Sequence, residues 1–207
     1  MAKLKFDPVE HKYTMGGFVI PNVTSVVERF LPYGNMPDDL RRAALERGTL
    51  VHAITEWLDR NKPITASWLI DVDDAGLRGY FEAWKAFKRD YDVAILSSEQ
   101  RVYHDQYRYA GTLDRTGIYR IKGKDYFGLI EIKTGSLIDE YALQTAAYFE
   151  AYNNNLDPLD KLDKRLIVCL REDGTYRAEV HEDKLDWPAF VGALNIYNWR
   201  LSHGRKS

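Results

Sequence analysis

Residues 129–135 read Leu129-Ile130-Glu131-Ile132-Lys133-Thr134-Gly135. Two charged residues stand in an otherwise apolar run, where unpaired burial is costly. Strand side chains alternate, so Glu131 and Lys133 share one face while Ile130 and Ile132 take the other. Upstream, Tyr109–Tyr119 has the pattern of a second strand, and Lys122-Gly123-Lys124-Asp125 carries the turn signal between them. In an antiparallel hairpin, residues pair one for one going back from the loop. A two-residue loop at Lys122-Gly123 sets Asp114 opposite Glu131. A four-residue loop from Lys122 to Asp125 sets it opposite Lys133. Either even-length loop puts Asp114 on the Glu131/Lys133 face, and an odd bulge would break this. Two carboxylates and an ammonium are therefore expected on one patch.

Those residue types in that pattern suit hydrolysis of a phosphodiester, which adds negative charge to the phosphate as water attacks. Two carboxylates can hold Mg²⁺ or Mn²⁺, which binds phosphate oxygens and lowers the pKa of bound water. An adjacent lysine can orient or deprotonate that water, or stabilise the developing charge. Carboxylate oxygens are hard ligands and suit Mg²⁺ better than a soft metal. The competing reading is a surface Glu/Lys pair on an exposed strand, because Glu-x-Lys by itself is common.

Outward from this stretch the chain alternates between helical and strand patterns. Leu4–Val23 carries turn signals at Asp7-Pro8 and Gly16-Gly17 and reads as a small hairpin. Thr24 or Ser25 could cap a short helix through Phe30, stopped by Pro32. Pro37 to Arg60 is helical, with Gly48-Thr49 a weak point or a break between two helices. Asp73–Tyr91 is a second helix, and Gln100–His104 a strand. Asp139–Asn153 is helical. Arg165–Arg171 and Tyr176–His181 form a hairpin across Asp173-Gly174, and Leu185–Ser202 closes the chain as a helix. The expected class is α/β (α+β): a central mixed β-sheet flanked by helices, with small N-terminal and C-terminal hairpin additions. One domain is expected over residues 1–207, with its core at 38–182, a hairpin region at 1–36 and a final helix at 184–203.

Composition narrows the partners. The 207 residues carry 29 Lys plus Arg against 31 Asp plus Glu, a formal charge of −2. Bulk attraction to nucleic acid is excluded, so any such contact must come from a local patch or a bound metal. Residues 101–135 do hold seven basic residues against four acidic ones, and Arg200, Arg205 and Lys206 lie at the end. The single cysteine, Cys169, excludes an internal disulfide, a four-cysteine zinc site and an iron–sulfur cluster held by this chain alone. It sits in the apolar run Leu166–Leu170 and reads as a buried thiol. No apolar stretch reaches membrane-spanning length, and no apolar signal core opens the chain, so a cytoplasmic location without membrane contact is expected.

Four ordered motifs then resemble one family. Gly48-Thr49-Leu50-Val51-His52, Gly111-Thr112-Leu113-Asp114, Glu131-Ile132-Lys133 and Gln144-Thr145-Ala146-Ala147-Tyr148 are similar to those of the PD-(D/E)XK nuclease superfamily, in its RecB-like exonuclease branch. Leu113 stands where the family name has proline, and in that branch the proline is often missing. The resemblance implies a restriction-endonuclease-like core and metal-dependent DNA exonuclease activity. It implies Asp114, Glu131 and the backbone carbonyl of Ile132 as ligands of Mg²⁺ or Mn²⁺. His52 would be a further ligand, and Lys133 would serve the attacking water. Gln144 and Tyr148, four apart on a helix, would face the site and steady Lys133 or the nucleic acid. Glu99 matches an acidic position of some relatives and is a candidate second-metal or outer-shell group. Arg115 is a candidate phosphate contact, with plain solvation as its alternative. Without the resemblance, His52 reads as structural, with Glu56 as a ready partner. The resemblance also implies DNA ends as substrate, a phage-type setting in a host cytoplasm, and a single-strand-annealing or recombination protein as partner. The alternatives are a structure- or site-specific endonuclease, and a non-catalytic nucleic-acid-binding accessory protein.

Overall fold

The computed structural model describes residues 3–28 and 37–204. In chain order its elements are β1 (Leu4–Asp7), β2 (Lys12–Met15), β3 (Phe18–Ile20), α1 (Val23–Val27), α2 (Asp38–Asp59), α3 (Ala66–Asp74), α4 (Arg78–Asp90), β4 (Ala94–His104), β5 (Tyr109–Ile121), β6 (Lys124–Thr134), α5 (Tyr141–Asn153), β7 (Lys164–Leu170), β8 (Tyr176–His181) and α6 (Asp186–Ser202). Among the described residues the strands form two sheets, β1-β2-β3 and β4-β5-β6-β7-β8. The larger sheet is mixed: β6 and β7 run parallel, and its other neighbours are antiparallel. Parallel neighbours need a crossover, and α5 supplies it.

The β5–β6 turn decides the register. Lys122 and Gly123 have φ of 50° and 79°, so both sit in the left-handed region that a two-residue turn of the hairpin type requires. Ile121 accordingly pairs with Lys124. Of the two loop lengths the sequence allows, the shorter one forms.

Alternation along β6 sends its side chains into two cores. Ile130 and Ile132 pack with Leu166 and Val168 against Val51, Ile54, Phe81, Trp84 and Phe87 of α2 and α4. Leu129 packs with Leu113 and Tyr109 against Val26 of α1, Tyr148 of α5 and Phe190 of α6. Each such side chain contributes about 1.5–3 kcal/mol when fully buried. The sheet is thereby fixed between two helical layers, and Glu131 is fixed within it.

Several boundaries differ from expectation. The N-terminal hairpin has a third strand. Asn22, rather than Thr24 or Ser25, caps α1: its Oδ1 accepts from the Ser25 N–H at 2.7 Å. Phe30 and Pro32, the expected end of that helix, lie outside the described residues. α2 runs unbroken through Gly48-Thr49. A single helical glycine costs about 1 kcal/mol relative to alanine, which the buried Val51 and Ile54 stripe outweighs. The helix expected from Asp73 starts at Arg78 as α4, and an unexpected helix, α3, capped by Thr65, precedes it, with Gly76 at φ 68° between the two. β4 starts at Ala94 rather than Gln100. The β7–β8 hairpin is continuous with the main sheet rather than appended to it. No helix among the described residues is long and apolar enough to cross a membrane.

Cys169 lies buried on β7, and burial pushes its thiol up to about 11. At pH 8 roughly one thiol in a thousand is then ionised, and the thiolate is the reactive form. The native protein is expected to react with a disulfide reagent orders of magnitude more slowly than the urea-unfolded chain. Equal rates would contradict the burial.

Candidate active site

The β5–β6 ladder runs from Ile121–Lys124 to Arg115–Ile130 and stops there. Beyond it, β5 stays paired with β4 and β6 with β7. The two strands therefore part at Asp114 and Glu131, the next pair in register, and leave a fork. At the fork the Ile132 N–H donates to Asp114 Oδ2 at 2.7 Å. A side-chain carboxylate thus replaces a ladder carbonyl, and the backbone donor is satisfied. In a strand the N–H and C=O of one residue point to the same edge. The Ile132 carbonyl is therefore directed into the fork as well. Asp114 and Glu131 are buried, at 7% and 2% exposure.

β4 adds a third carboxylate. Ser98 pairs with Arg115 and Gln100 with Leu113, so the residue between them, Glu99, lies across from Asp114. Glu99 has a φ of 51°. A left-handed residue that is not glycine costs on the order of 1–3 kcal/mol and persists only where its surroundings hold it. α2 supplies His52, whose Nδ1 lies 3.5 Å from Asp114 Oδ1 and 3.7 Å from Glu99 Oε1. His52, Glu99 and Asp114 present ligand-type atoms all within 4.8 Å of one another.

The charges respond to this crowding. Burial alone would lower the His52 pKa, but Asp114, Glu99 and Glu131 carry it above the ordinary value. Burial, reinforced by the charge of Asp114, pushes the Glu131 carboxyl up to about 7 against the pull of Lys133. Glu131 Oε1 accepts from Lys133 Nζ at 3.0 Å. Glu131 Oε2 is buried and has no hydrogen-bond partner. An unpartnered carboxylate oxygen beside two more acids and an imidazole is a donor set that a hard divalent cation fits.

Lys133 is held from the α5 side. Its Nζ also donates to Gln144 Oε1 at 2.8 Å and lies 4.8 Å from the centre of the Tyr141 ring. Gln144 Nε2 in turn donates to the Tyr148 hydroxyl at 3.0 Å. The two residues do share one helix face, and that face is turned to Lys133. Tyr148 reaches this position because β5 carries glycine opposite it. A Cβ at Gly111 would lie 2.4 Å from Tyr148 Cε1 and 3.2 Å from Val23 Cγ2.

Arg115 is neither solvated nor placed to meet a phosphate from outside. Its side chain is fully buried beneath the fork. Its Nε donates to Asp59 Oδ2 at 2.8 Å, and Asp59 is a residue that the sequence reading passed over. Asp59 sits seven residues after His52, two turns on and on the same face of the helix. Glu56 pairs with Arg60 at 2.5 Å, not with His52. A cavity of about 330 Å³ lined by Phe149, Arg165, His181 and Trp187 contains none of the candidate residues.

No protein-family sequence profile matches the chain, and neither does any curated protein. Among solved structures, a protein from Eubacterium rectale provisionally named an exonuclease aligns at a TM-score of 0.52 and 13% identity, over 91% of this chain and 83% of that one. An alkaline exonuclease from Laribacter hongkongensis aligns more loosely, at a TM-score of 0.44 and 12% identity, over 89% of this chain and 88% of that one. The same enzyme in complex with dAMP aligns at 0.46 and 13%, over 90% and 89%. At 13% identity, the alignment with the Eubacterium rectale protein shows a likeness of fold alone.

The tight approach at Gly111 is directly testable. Gly111→Ala is expected to displace Tyr148 and destabilise the protein by about 1–3 kcal/mol, the usual cost of overpacking. Denaturant unfolding measures it, and an unchanged midpoint would contradict the contact.

Proposed function

We propose that this chain is a metal-dependent DNA exonuclease of the RecB-like PD-(D/E)XK kind, acting as one nuclease domain. The observation that carries the reading is the fork itself. It holds Asp114 between the Ile132 N–H and His52 with Glu99 beside them, and its register sets Glu131, with one buried, unpartnered oxygen and Lys133 on the other, next to Asp114. The fold likeness to the Eubacterium rectale protein supports it.

In this reading Asp114, Glu131, the Ile132 carbonyl and His52 would hold Mg²⁺ or Mn²⁺, with Glu99 in reach as a further ligand. When bound, such an ion supplies a lowered pKa for water and charge neutralisation at the scissile phosphate. The chain's own groups do the rest. Asp114 is oriented by the Ile132 N–H, so one of its oxygens is committed to the backbone and the other faces His52. An ammonium has three N–H donors. Lys133 uses two of them, on Glu131 and Gln144, which leaves the third for a water or a phosphate oxygen. Gln144 cannot rotate freely, because its amide N–H₂ is engaged by Tyr148. Lys133 is thus aimed before the substrate arrives, which is how a preorganised charge stabilises a transition state.

Incubation with end-labelled linear DNA in Mg²⁺ or Mn²⁺ tests the reading. The wild type is expected to release mononucleotides or short products from linear DNA and to leave a covalently closed circle intact. Asp114→Asn, Glu131→Gln and Lys133→Ala are each expected to lose about 100-fold or more, the scale for removing one transition-state contact. Equal activity in all four proteins would overturn it. Cleavage of the closed circle would show an endonuclease instead.

A further inference from the structure

We propose that Arg115, anchored by Asp59, is the positioning residue that sets His52 and Glu99 against Asp114 for a divalent cation. The inference rests on the nuclease reading above and extends it to residues that touch neither metal nor substrate.

Arg115 follows Asp114 on β5, so the two side chains leave the strand on opposite sides. Asp114 turns into the fork and Arg115 turns beneath α2. All five N–H groups of a guanidinium lie in one plane, and here each has an acceptor. Nε donates to Asp59 Oδ2 at 2.8 Å. Nη2 donates to Thr55 Oγ1 at 3.1 Å and to the His52 carbonyl at 3.5 Å. Nη1 donates to the Asp114 carbonyl at 2.8 Å and to Glu99 Oε1 at 3.3 Å. One rigid group therefore touches all three members of the cluster, each through its backbone or its carboxylate.

Asp59 is what keeps that group in place. It is the last residue of α2, where the helix dipole disfavours a negative charge. It stays there because Trp84 Nε1 and Lys88 Nζ donate to Oδ1 at 3.0 and 2.8 Å while Arg115 holds Oδ2. Seven residues separate Asp59 from His52, about 10 Å along a straight helix. Pinning Asp59 to β5 thus fixes both the height and the rotation of His52 over Asp114. The same guanidinium holds the carboxylate of Glu99, the residue whose backbone is in the left-handed region. A lysine could reach Asp59 but could not fork to the other acceptors.

The experiment compares Arg115→Lys, Asp59→Asn and Val72→Ala with the wild type. Mn²⁺ affinity is measured by titration calorimetry without DNA, and Tm by scanning calorimetry in EDTA. Arg115→Lys is expected to stay folded and to bind Mn²⁺ about tenfold or more weakly, the range for residues behind metal ligands. The Mn²⁺ needed for half-maximal DNA degradation should rise by the same factor, with KM for DNA at saturating Mn²⁺ unchanged. Asp59→Asn should also lose Mn²⁺ affinity, and it carries the comparison if Arg115→Lys fails to fold. Val72→Ala opens a cavity in the α3 side of the core and removes no partner of Asp59, Arg115 or the cluster, so it should lower Tm and keep Mn²⁺ affinity. Wild-type Mn²⁺ affinity in Arg115→Lys or Asp59→Asn would overturn the proposal. So would a loss of affinity that follows Tm alike in all three variants. A wild type that binds no Mn²⁺ at all would instead overturn the nuclease reading on which the proposal rests.

Discussion

The site depends on one hydrogen bond, from the Ile132 N–H to Asp114 Oδ2 at 2.7 Å. Two antiparallel strands cannot separate in the middle of a buried sheet without leaving donors and acceptors unpaired, and each unpaired group costs free energy. Here β5 and β6 separate after Arg115–Ile130, and the first donor past the split finds a carboxylate. The strands can afford to diverge because β4 keeps the outer edge of β5 and β7 keeps the outer edge of β6. The opening is therefore a structural fork with rigid sides. One side-chain oxygen beside it stays unpartnered, the buried Oε2 of Glu131.

Charge is distributed around the fork in two tiers. In front, Glu99 and Asp114 crowd with His52, and burial together with the charge of Asp114 raises the carboxyl of Glu131. Lys133 offsets part of it from the α5 side. Behind, Arg115 and Asp59 form a buried pair that Lys88 and Trp84 complete. Breaking one partner of such a pair typically costs about 3–5 kcal/mol, so the rear tier holds its geometry firmly. The front tier is the part left open to a ligand.

Much of this was legible in the sequence. The alternation of Ile130, Glu131, Ile132 and Lys133 gave the two faces of β6. Either even-length loop over Lys122–Asp125 put Asp114 on the face of Glu131 and Lys133, and the structure forms the shorter one. The spacing of Gln144 and Tyr148 placed them on one helix face. What escaped follows from interactions that a linear pattern does not carry. Nothing in the linear pattern singles out Asp59, whose partner Arg115 is 56 residues away. Arg115 looked solvated because nothing local marks a fully buried guanidinium. The first half of β4 runs through Ser97-Ser98-Glu99 with a register shift between Ile95 and Ser97, so no clean alternation marks it in the sequence. The α3–α4 break at Gly76 was masked by apolar residues that continue on both sides of it. The fork itself was not legible, because register says which residues face each other and not where two strands part.

Soaking crystals of the protein with Mn²⁺ and recording its anomalous scattering tests the central claim most directly. The account predicts a single strong peak inside the fork, bounded by Asp114, Glu131, the Ile132 carbonyl and His52. It also predicts that the peak is lost in Asp114→Asn. An empty fork at saturating Mn²⁺, or a peak only in the cavity lined by Arg165 and His181, would contradict it.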